Sequence, residues 1–440
     1  MLLLLKNAHC VDPAVQIDGV LDILISDGVL AKIGQPGTLD LPNGEKSDAG
    51  CRTIDLTGQV LLPGLMDMHV HLRDPGQEYK EDIASGGAAA SHGGFSEVLC
   101  MPNTQPTIDN ASQVTYVRER AAAVTRTRVQ VAGALTAGLK GQALAEMGDM
   151  AAAGALAFTD DGRGVQDSGL ERLAMEYAAT LGRPVLSHCQ DEALVGQGQI
   201  NEGLASTRLG LAPWPALGEE AQIARDIALA ELTGAHLHIQ HITTAAGVEL
   251  VAAAKAKGLP VSCEVTPHHL FLSEADLDET YNTALKMNPP LRHPRDAAAL
   301  RVAFVEGQID CLSTDHAPHA AHEKALEFEL APFGTTGLET ALGLVLTELI
   351  YTKAFGYAQL VERMAHAPRR ILGLPPLCLE VGAPADLTVL DPAQKWTVEA
   401  ADFVSKSANS AFLGRSLIGR ASYVFVGGEA SLMEGRVVAR

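Results

Sequence analysis

Apolar and polar positions along this chain fall into three regimes. From residue 1 to about 60, the short apolar runs LLLLKNAHCVD, VLDILISDGVLAKIG and RTIDLTGQVLLPG are separated by DG and NG turn signals, the texture of short strands. From 376 onward the same texture returns in ADLTVLDP, SYVFVGG and GRVV. Two β-rich ends around a different middle predict a small β-sandwich assembled from residues 1–60 and 376–440. Between them, from 61 to 375, strand-like runs alternate with helical periodicity. The strands are LMDMHVH, EVLCMPN, VQVAGAL, GALAFTDD, PVLSHCQ, HLHIQHI, PVSCEVTPHH and IDCLSTDH, with helix-like intervals such as LERLAMEYAATLG and GEEAQIARDIALAELTG. Eightfold alternation of this kind predicts an α/β fold, a (β/α)8 barrel of the TIM type.

Almost every one of these runs ends in His, Asp or Asn: His69 and His71, Asn103, Asp160 or Asp161, His188, His241, Asp315. In a (β/α)8 barrel the C-terminal strand ends ring one mouth, so these side chains are expected to converge there. His69 and His71 are one residue apart, and alternate side chains of a strand share a face, so the pair forms a pincer. Four histidines and at least two carboxylates are N and O donors with no thiolate, a set that suits two divalent ions such as zinc with a position left for water. Asp160 and Asp161 are neighbours on one strand, and alternation alone lets either face inward.

Composition narrows the partners. A formal charge of −20 with pI near 5.1 excludes nucleic acid and anionic membrane surfaces, whose phosphates would be repelled. A small anionic substrate is compatible, because screening over about 8 Å at physiological salt lets metal ions and one arginine dominate inside a cleft. The seven cysteines are scattered, odd in number and without a C-x-x-C pair, as expected of a reduced, cytoplasmic protein. The opening MLLLLKNAHC is broken by Lys6 and reads as a first strand, and no run approaches the roughly 20 apolar residues of a membrane span. DGRGVQDSG has neither phosphate-loop nor dinucleotide spacing, which excludes a nucleotide cofactor.

HVHLRDPG, MPNTQP, AFTDDG, SHCQDE, HIT, EVTPHHL, KMNPPLR, STDHAPH and APFGTTGLET, in that order between about 60 and 375, closely resemble the dihydroorotases of the amidohydrolase superfamily, in particular their bacterial type I group. H-x-H alone is a weak signal, whereas the ordered set is highly specific. The resemblance implies reversible hydrolysis of dihydroorotate to N-carbamoyl-L-aspartate with two zinc ions. His69, His71 and Asp315 are implied as ligands of one ion and His188 and His241 of the other, with Asp161 between them. Relatives such as hydantoinases and allantoinases carry a carbamylated lysine at that strand end, and this chain has none there. Asp315 is implied as the general base that becomes the general acid. Arg73, with Asn103 and His319, is implied to receive the substrate carboxylate, and His71, Asn288 and the backbone at Phe333 and Gly334 to contact the substrate.

The charged segment HAAHEKALEFELAPFG, residues 319–334, is expected to close over the substrate. Alternation from His241 puts Leu237 and Ile239 on its side and His236, His238 and Gln240 on the other, which makes the two histidines helix-facing unless the strand bends. His268 and His269 are assigned packing or outer hydrogen bonding, and Cys189 a small buried role on the face opposite His188. Two rival readings are a related cyclic amidase acting on hydantoin or allantoin, and a non-catalytic structural partner of aspartate transcarbamoylase. The absent lysine argues against the first and the intact ligand set against the second. A homodimer and an aspartate transcarbamoylase complex are both compatible with the resemblance.

Overall fold

Eight short parallel strands curl around a shared axis because each is apolar on the side that meets a helix. The computed structural model describes residues 2–41 and 51–440; the NG turn at 43–44 lies outside them. The barrel strands are β1 (Leu65–Val70), β2 (Phe95–Cys100), β3 (Arg128–Gly133), β4 (Ala157–Phe158), β5 (Val185–Ser187), β6 (Leu237–Ile239), β7 (Val261–Val265) and β8 (Cys311–Leu312), paired in sequence order. Each overlaps one of the eight runs read from the sequence, β2 beginning two residues and β3 one residue before its run. Closure of β8 onto β1 is made by a parallel bridge between Val70 and His316, by His71 N–H donating to the His316 carbonyl at 2.9 Å, and by the Asp67 carboxylate accepting from Thr314 N–H at 3.2 Å. A side chain thus pairs backbone across the seam where the strands have parted.

Helices follow the strands, and their starts are written in the sequence. Asp82, Asn110, Asp167 and Thr244 accept from backbone N–H groups at the first turns of Ile83–His92, Ala111–Val124, Ser168–Thr180 and Ala245–Ala256. Val70, Val98, Val131, Phe158, Val185, Leu237, Ile239, Cys263 and Leu312 belong to the large core shared with these helices. The barrel lumen holds Met66, Met68, Leu99, Leu186 and Cys311, closed from below by Ala367, Ile371 and Leu372. The lumen is therefore packed at its floor, where a buried ion pair of Glu97 with Arg369 and the Gln130 amide join the apolar side chains, and its upper mouth is polar. No helix of the described residues is long and apolar enough to cross a membrane.

The two ends of the chain meet in one hydrogen-bonded sheet. Its path runs through Arg436–Val437, Glu429–Met433, Ser416–Val426, Leu387–Thr397, Val60–Pro63, Leu2–Asp12, Ile17–Ser26 and Val29–Gly34, and Cys51–Asp55 joins beside Leu2–Asp12. The join between the halves is antiparallel, Val60–Pro63 against Leu387–Leu390. The DG signal at 27–28 is the hairpin turn, with φ of 50° at Asp27 and 82° at Gly28, the geometry Gly permits and Asp tolerates. A separate core of Leu3, Leu5, Ile23, Ile25, Leu387, Val389 and Phe425 draws on both ends.

Asp12 ties this sheet to the barrel floor. Its carboxylate accepts from His366 Nε2 at 2.9 Å, Leu379 N–H at 2.8 Å and Ala14 N–H at 3.0 Å. Burial alone would raise its pKa, yet these hydrogen bonds hold it below the usual carboxylate range. Asp12→Asn is expected to lose about 1.5–3 kcal/mol, read as a melting temperature about 2–6 °C lower at pH 7. A depressed carboxylate contributes stability above its unfolded pKa near 3.9 and loses it as pH falls, so the gap between variant and parent should close below about pH 4. A gap that persists unchanged at pH 3 would assign the loss to shape rather than charge.

Candidate metal and substrate site

Six side chains from the upper strand ends meet around Asp161. His69 and His71 come from β1 and its extension, Asp161 follows β4, His188 follows β5, His241 follows β6 and Asp315 follows β8, and none is more than 7% exposed. Asp161 Oδ1 lies 3.3 Å from His69 Nε2, 3.5 Å from His188 Nδ1 and 3.9 Å from His241 Nε2. Its Oδ2 lies 3.5 Å from His71 Nε2. Asp315 Oδ1 is 2.9 Å from His71 Nε2 and 3.6 Å from His69 Nε2. Ligands bound at about 2.0–2.1 Å to a tetrahedral zinc stand about 3.3 Å apart, so this spacing is that of a metal cage.

The outer atoms of the imidazoles settle which nitrogens face inward. His69 Nδ1 donates to Glu264 Oε1 at 2.6 Å, His71 Nδ1 to Asn103 Oδ1 at 2.8 Å, and His188 Nε2 to Gln190 Oε1 at 3.1 Å. In each case the second nitrogen is the one that faces the centre. His69 Nε2 is buried and has no hydrogen-bond partner. His241 Nε2 and His188 Nδ1 face each other at 2.9 Å, a distance at which two lone pairs repel unless a cation or proton lies with them. Burial, with His188 and His69 beside it, pushes His241 well below the ordinary imidazole range, the neutral form a metal needs. At His69 burial is outweighed by Asp161 and Glu264, which hold its pKa well above the ordinary value. The field at the centre therefore favours positive charge, and these residues could hold a metal ion.

Backbone geometry explains how both strand-end neighbours can reach the mouth. His241 has φ of 30°, Arg73 60° and Asp315 46°, left-handed conformations that cost side-chain-bearing residues free energy and gather at functional sites. The bend at His241 corrects the reading of the second H-x-H. Leu237 and Ile239 join the helix-facing core, whereas His238 and Gln240 point into the lumen, His238 Nε2 lying 3.3 Å from Glu264 and Gln240 Nε2 3.3 Å from His69 Nδ1. The left-handed turn then brings His241 round to the same side. Asp160 is turned away, accepting from Leu135 N–H and Thr136 N–H at 2.9 Å each. Cys189 lies on the outer face near Ser187 and Asp226. His269 Nε2 donates to the Pro289 carbonyl at 3.0 Å, away from the cluster.

Over the cluster opens a cavity of about 240 Å³, lined by His71, Arg73, Asp161, His188, His241, Asn288, Asp315, Phe333 and Gly334 among others. Arg73 is buried, donates from Nε to the Pro318 carbonyl at 3.2 Å, and has no ion pair within 4 Å among the described residues. Asn103 and His319 border the cavity beside these residues, the His319 ring 3.5 Å from the Arg73 guanidinium. Asn103 bridges His71 and Asp161, with Nδ2 3.1 Å from Asp161 Oδ2, and His319 Nε2 donates to the Phe333 carbonyl at 2.8 Å. Burial, reinforced by Arg73, pushes His319 down to about 2, so it is a neutral ring. Glu264 and Gln190 went unassigned in the sequence. Glu264 sits mid-strand in EVTPHHL, where an acid in an apolar run of a lumen-facing strand was the available signal. Gln190 receives Asn288 Nδ2 at 3.0 Å and so couples the cavity wall to His188.

A family model described as Dihydro-orotase-like matches residues 58–246. Among curated proteins, the dihydroorotase of Geotalea daltonii is 45% identical over 429 residues, covering 98% of this chain and 99% of that protein. The dihydroorotase of Pelotomaculum thermopropionicum is 46% identical over 439 residues, covering 100% of both. Among solved structures, an L-hydantoinase (dihydropyrimidinase) from Arthrobacter aurescens superposes with a TM-score of 0.87 at 26% identity, over 99% of this chain and 97% of its own. A D-hydantoinase from a Thermus species, at TM-score 0.84 and 24% identity over 100% of this chain and 97% of its own, shares the fold.

Glu264 is buried beneath His69 with its pKa held far below the carboxylate range, because His69 and His238 outweigh the penalty of burial. Replacing it by Gln keeps the shape and removes the charge that orients and polarises His69. Affinity for zinc is expected to fall about 10–100-fold, measured by competition with a chromophoric chelator. An unchanged affinity would rule out an orienting role for Glu264.

Proposed function

This chain belongs to the dihydroorotase family, and on that premise we propose that it is a zinc-dependent dihydroorotase, opening the ring of dihydroorotate to N-carbamoyl-L-aspartate and closing it again in pyrimidine synthesis. The observation that carries the reading is Arg73: a buried guanidinium without an ion pair among the described residues, in the wall of the cavity that also holds Asp315 and the imidazole cluster. A buried cation of this kind is stabilised by an anion brought by the ligand. Dihydroorotate has a carboxylate for Arg73 and a cyclic amide for the cluster, whereas hydantoin and allantoin have no carboxylate.

His69, His71 and Asp315 form one donor set and His188 and His241 the other, with Asp161 facing both. When bound there, two zinc ions supply Lewis acidity, which makes a water acidic near neutral pH and polarises the ring carbonyl. Asp315 moves the proton. Burial opposes its ionisation, but the His71 hydrogen bond and the nearby imidazoles keep its pKa below the ordinary carboxylate value, so it is a base at neutral pH. It takes the proton from the attacking water and delivers it to the ring nitrogen as the amide bond breaks; ring closure runs the same transfers backwards. Arg73 fixes the carboxylate with its planar fork, and Asn288, Phe333 and Gly334 enclose the ring. Asn103 orients His71, and His319 holds the Phe333 carbonyl, so both support the substrate through their neighbours.

Dihydroorotate, hydantoin and allantoin should be compared with metal-stripped and zinc-restored protein. Turnover of dihydroorotate that disappears on stripping and returns with zinc is expected; turnover of hydantoin in its place would overturn the substrate, and activity indifferent to stripping would overturn the metal. Arg73→Lys keeps charge but loses the fork and should raise KM about tenfold or more with a smaller change in kcat. Asp315→Asn should lower kcat by about 10²–10⁴ while retaining most of the bound zinc; an ordinary rate in that variant would remove its proton-transfer role.

A further inference from the structure

Residues 325–334 cross above the cavity without helix or strand, and Phe333 and Gly334 at their end form part of its wall. A segment without regular structure must find donors elsewhere for its inward carbonyls. Here two lysines supply them. Lys286, with 1% of its surface exposed, donates from Nζ to the Phe328 carbonyl at 2.7 Å and the Glu329 carbonyl at 3.0 Å. Its ammonium also lies 4.6 Å from the centre of the Phe333 ring and 5.5 Å from that of Phe328. Lys324, 9% exposed, donates to the Pro332 and Gly334 carbonyls at 2.9 Å each and to the Lys286 carbonyl at 3.5 Å. Gly334 N–H returns a bond of 2.9 Å to that same Lys286 carbonyl, which locks the two lysines to one another.

Neither ammonium has a carboxylate within 4 Å among the described residues. Two buried like charges held by dipoles alone are costly, and burial accordingly pushes Lys286 down to about 8 and Lys324 to about 7. Packing alone would be met more cheaply by leucine or methionine. What lysine adds is three donors at the end of a flexible stem, in a place where five carbonyl contacts need them. No side chain fits at Gly334: with φ of 133°, a Cβ there would stand 2.9 Å from Ala317 and 3.0 Å from His319 Nε2.

We propose that Lys286 and Lys324 are positioning residues for the substrate, their buried ammonium groups holding the Phe328, Glu329, Pro332 and Gly334 carbonyls so that Phe333 and Gly334 stand as a finished wall opposite the His/Asp cluster. The inference rests on the reading of this cavity as the substrate site. A wall already in place lowers the ordering cost of binding, so its loss appears in KM before kcat.

The chain has two tryptophans, and Trp214 packs edge-on against Phe333 with ring centroids 5.8 Å apart, which provides a reporter for the wall that needs no turnover. In a Trp396→Phe background, Lys286→Met and Lys324→Met are compared with the parent for zinc content, kcat and KM for dihydroorotate, and acrylamide quenching of Trp214. The expected result is full zinc content, KM raised about tenfold or more, kcat within about threefold, and Trp214 quenched at least twice as readily. Unchanged KM and unchanged quenching in folded, zinc-loaded variants would overturn the proposal, as would a fall in kcat alone. Should a methionine variant not fold, Lys→Gln at the same position keeps two donors on a shorter stem, and it is expected to give an intermediate KM and quenching; parental values there would likewise overturn the proposal. If the parent does not turn over dihydroorotate, the quenching still decides whether the lysines hold the wall, separately from the choice of substrate.

Discussion

Four imidazoles and two carboxylates, all buried and within 4 Å of neighbours, can be held together only if their charges and lone pairs are mutually answered. That condition organises the upper half of the molecule. Asp161 answers all four imidazoles at once, Asp315 answers His71 and His69, and a further layer of Glu264, Asn103 and Gln190 fixes the outer nitrogens of three rings. Even the barrel seam serves it, since Asp67, which pairs with Thr314 across β1 and β8, also receives His69 N–H at 3.0 Å. The packed floor of the lumen and the polar mouth are two ends of one device, the floor excluding water and the mouth concentrating charge where water is scarce.

Much of this was legible before any coordinates. The eight runs were visible because each barrel strand buries an apolar face and then ends abruptly in a polar residue, even where the paired stretch is as short as Ala157–Phe158 or Cys311–Leu312. The terminal strands were visible because turn signals punctuate them. Less legible was anything that depends on a single backbone angle. His238 was placed toward the helices by counting back from His241, and a φ of 30° at His241 reverses that count. Asp160 and Asp161 were indistinguishable by alternation, and only the bonds of Asp160 to the 135–136 backbone tell them apart. Glu264 was hidden because a lumen-facing acid in a short strand looks the same in sequence as one that faces solvent.

Fold and chemistry separate cleanly here. Hydantoinases share the architecture across nearly the whole chain at about a quarter identity, so the barrel and its partner sheet do not themselves choose a substrate. The groups that face the cavity are local: an aspartate after β4, an arginine with a positive φ after β1, and a cavity wall whose carbonyls are bonded to two lysine ammonium groups. These features sit on strand ends and the segments beyond them, where side chains can change without disturbing the core below.

The sheet built from both ends has a consequence for the order in which the protein comes into being. Val60–Pro63 takes its neighbour from Leu387–Leu390, more than three hundred residues later, so during synthesis the first strands leave the ribosome long before the strand that completes them exists. Until then their outer edge is unpaired, a surface prone to wrong partners. Final assembly of this sheet is thus a checkpoint on translation through the barrel: a chain truncated anywhere in the barrel retains an open edge, and only one that extends through Leu387–Leu390 can cover it.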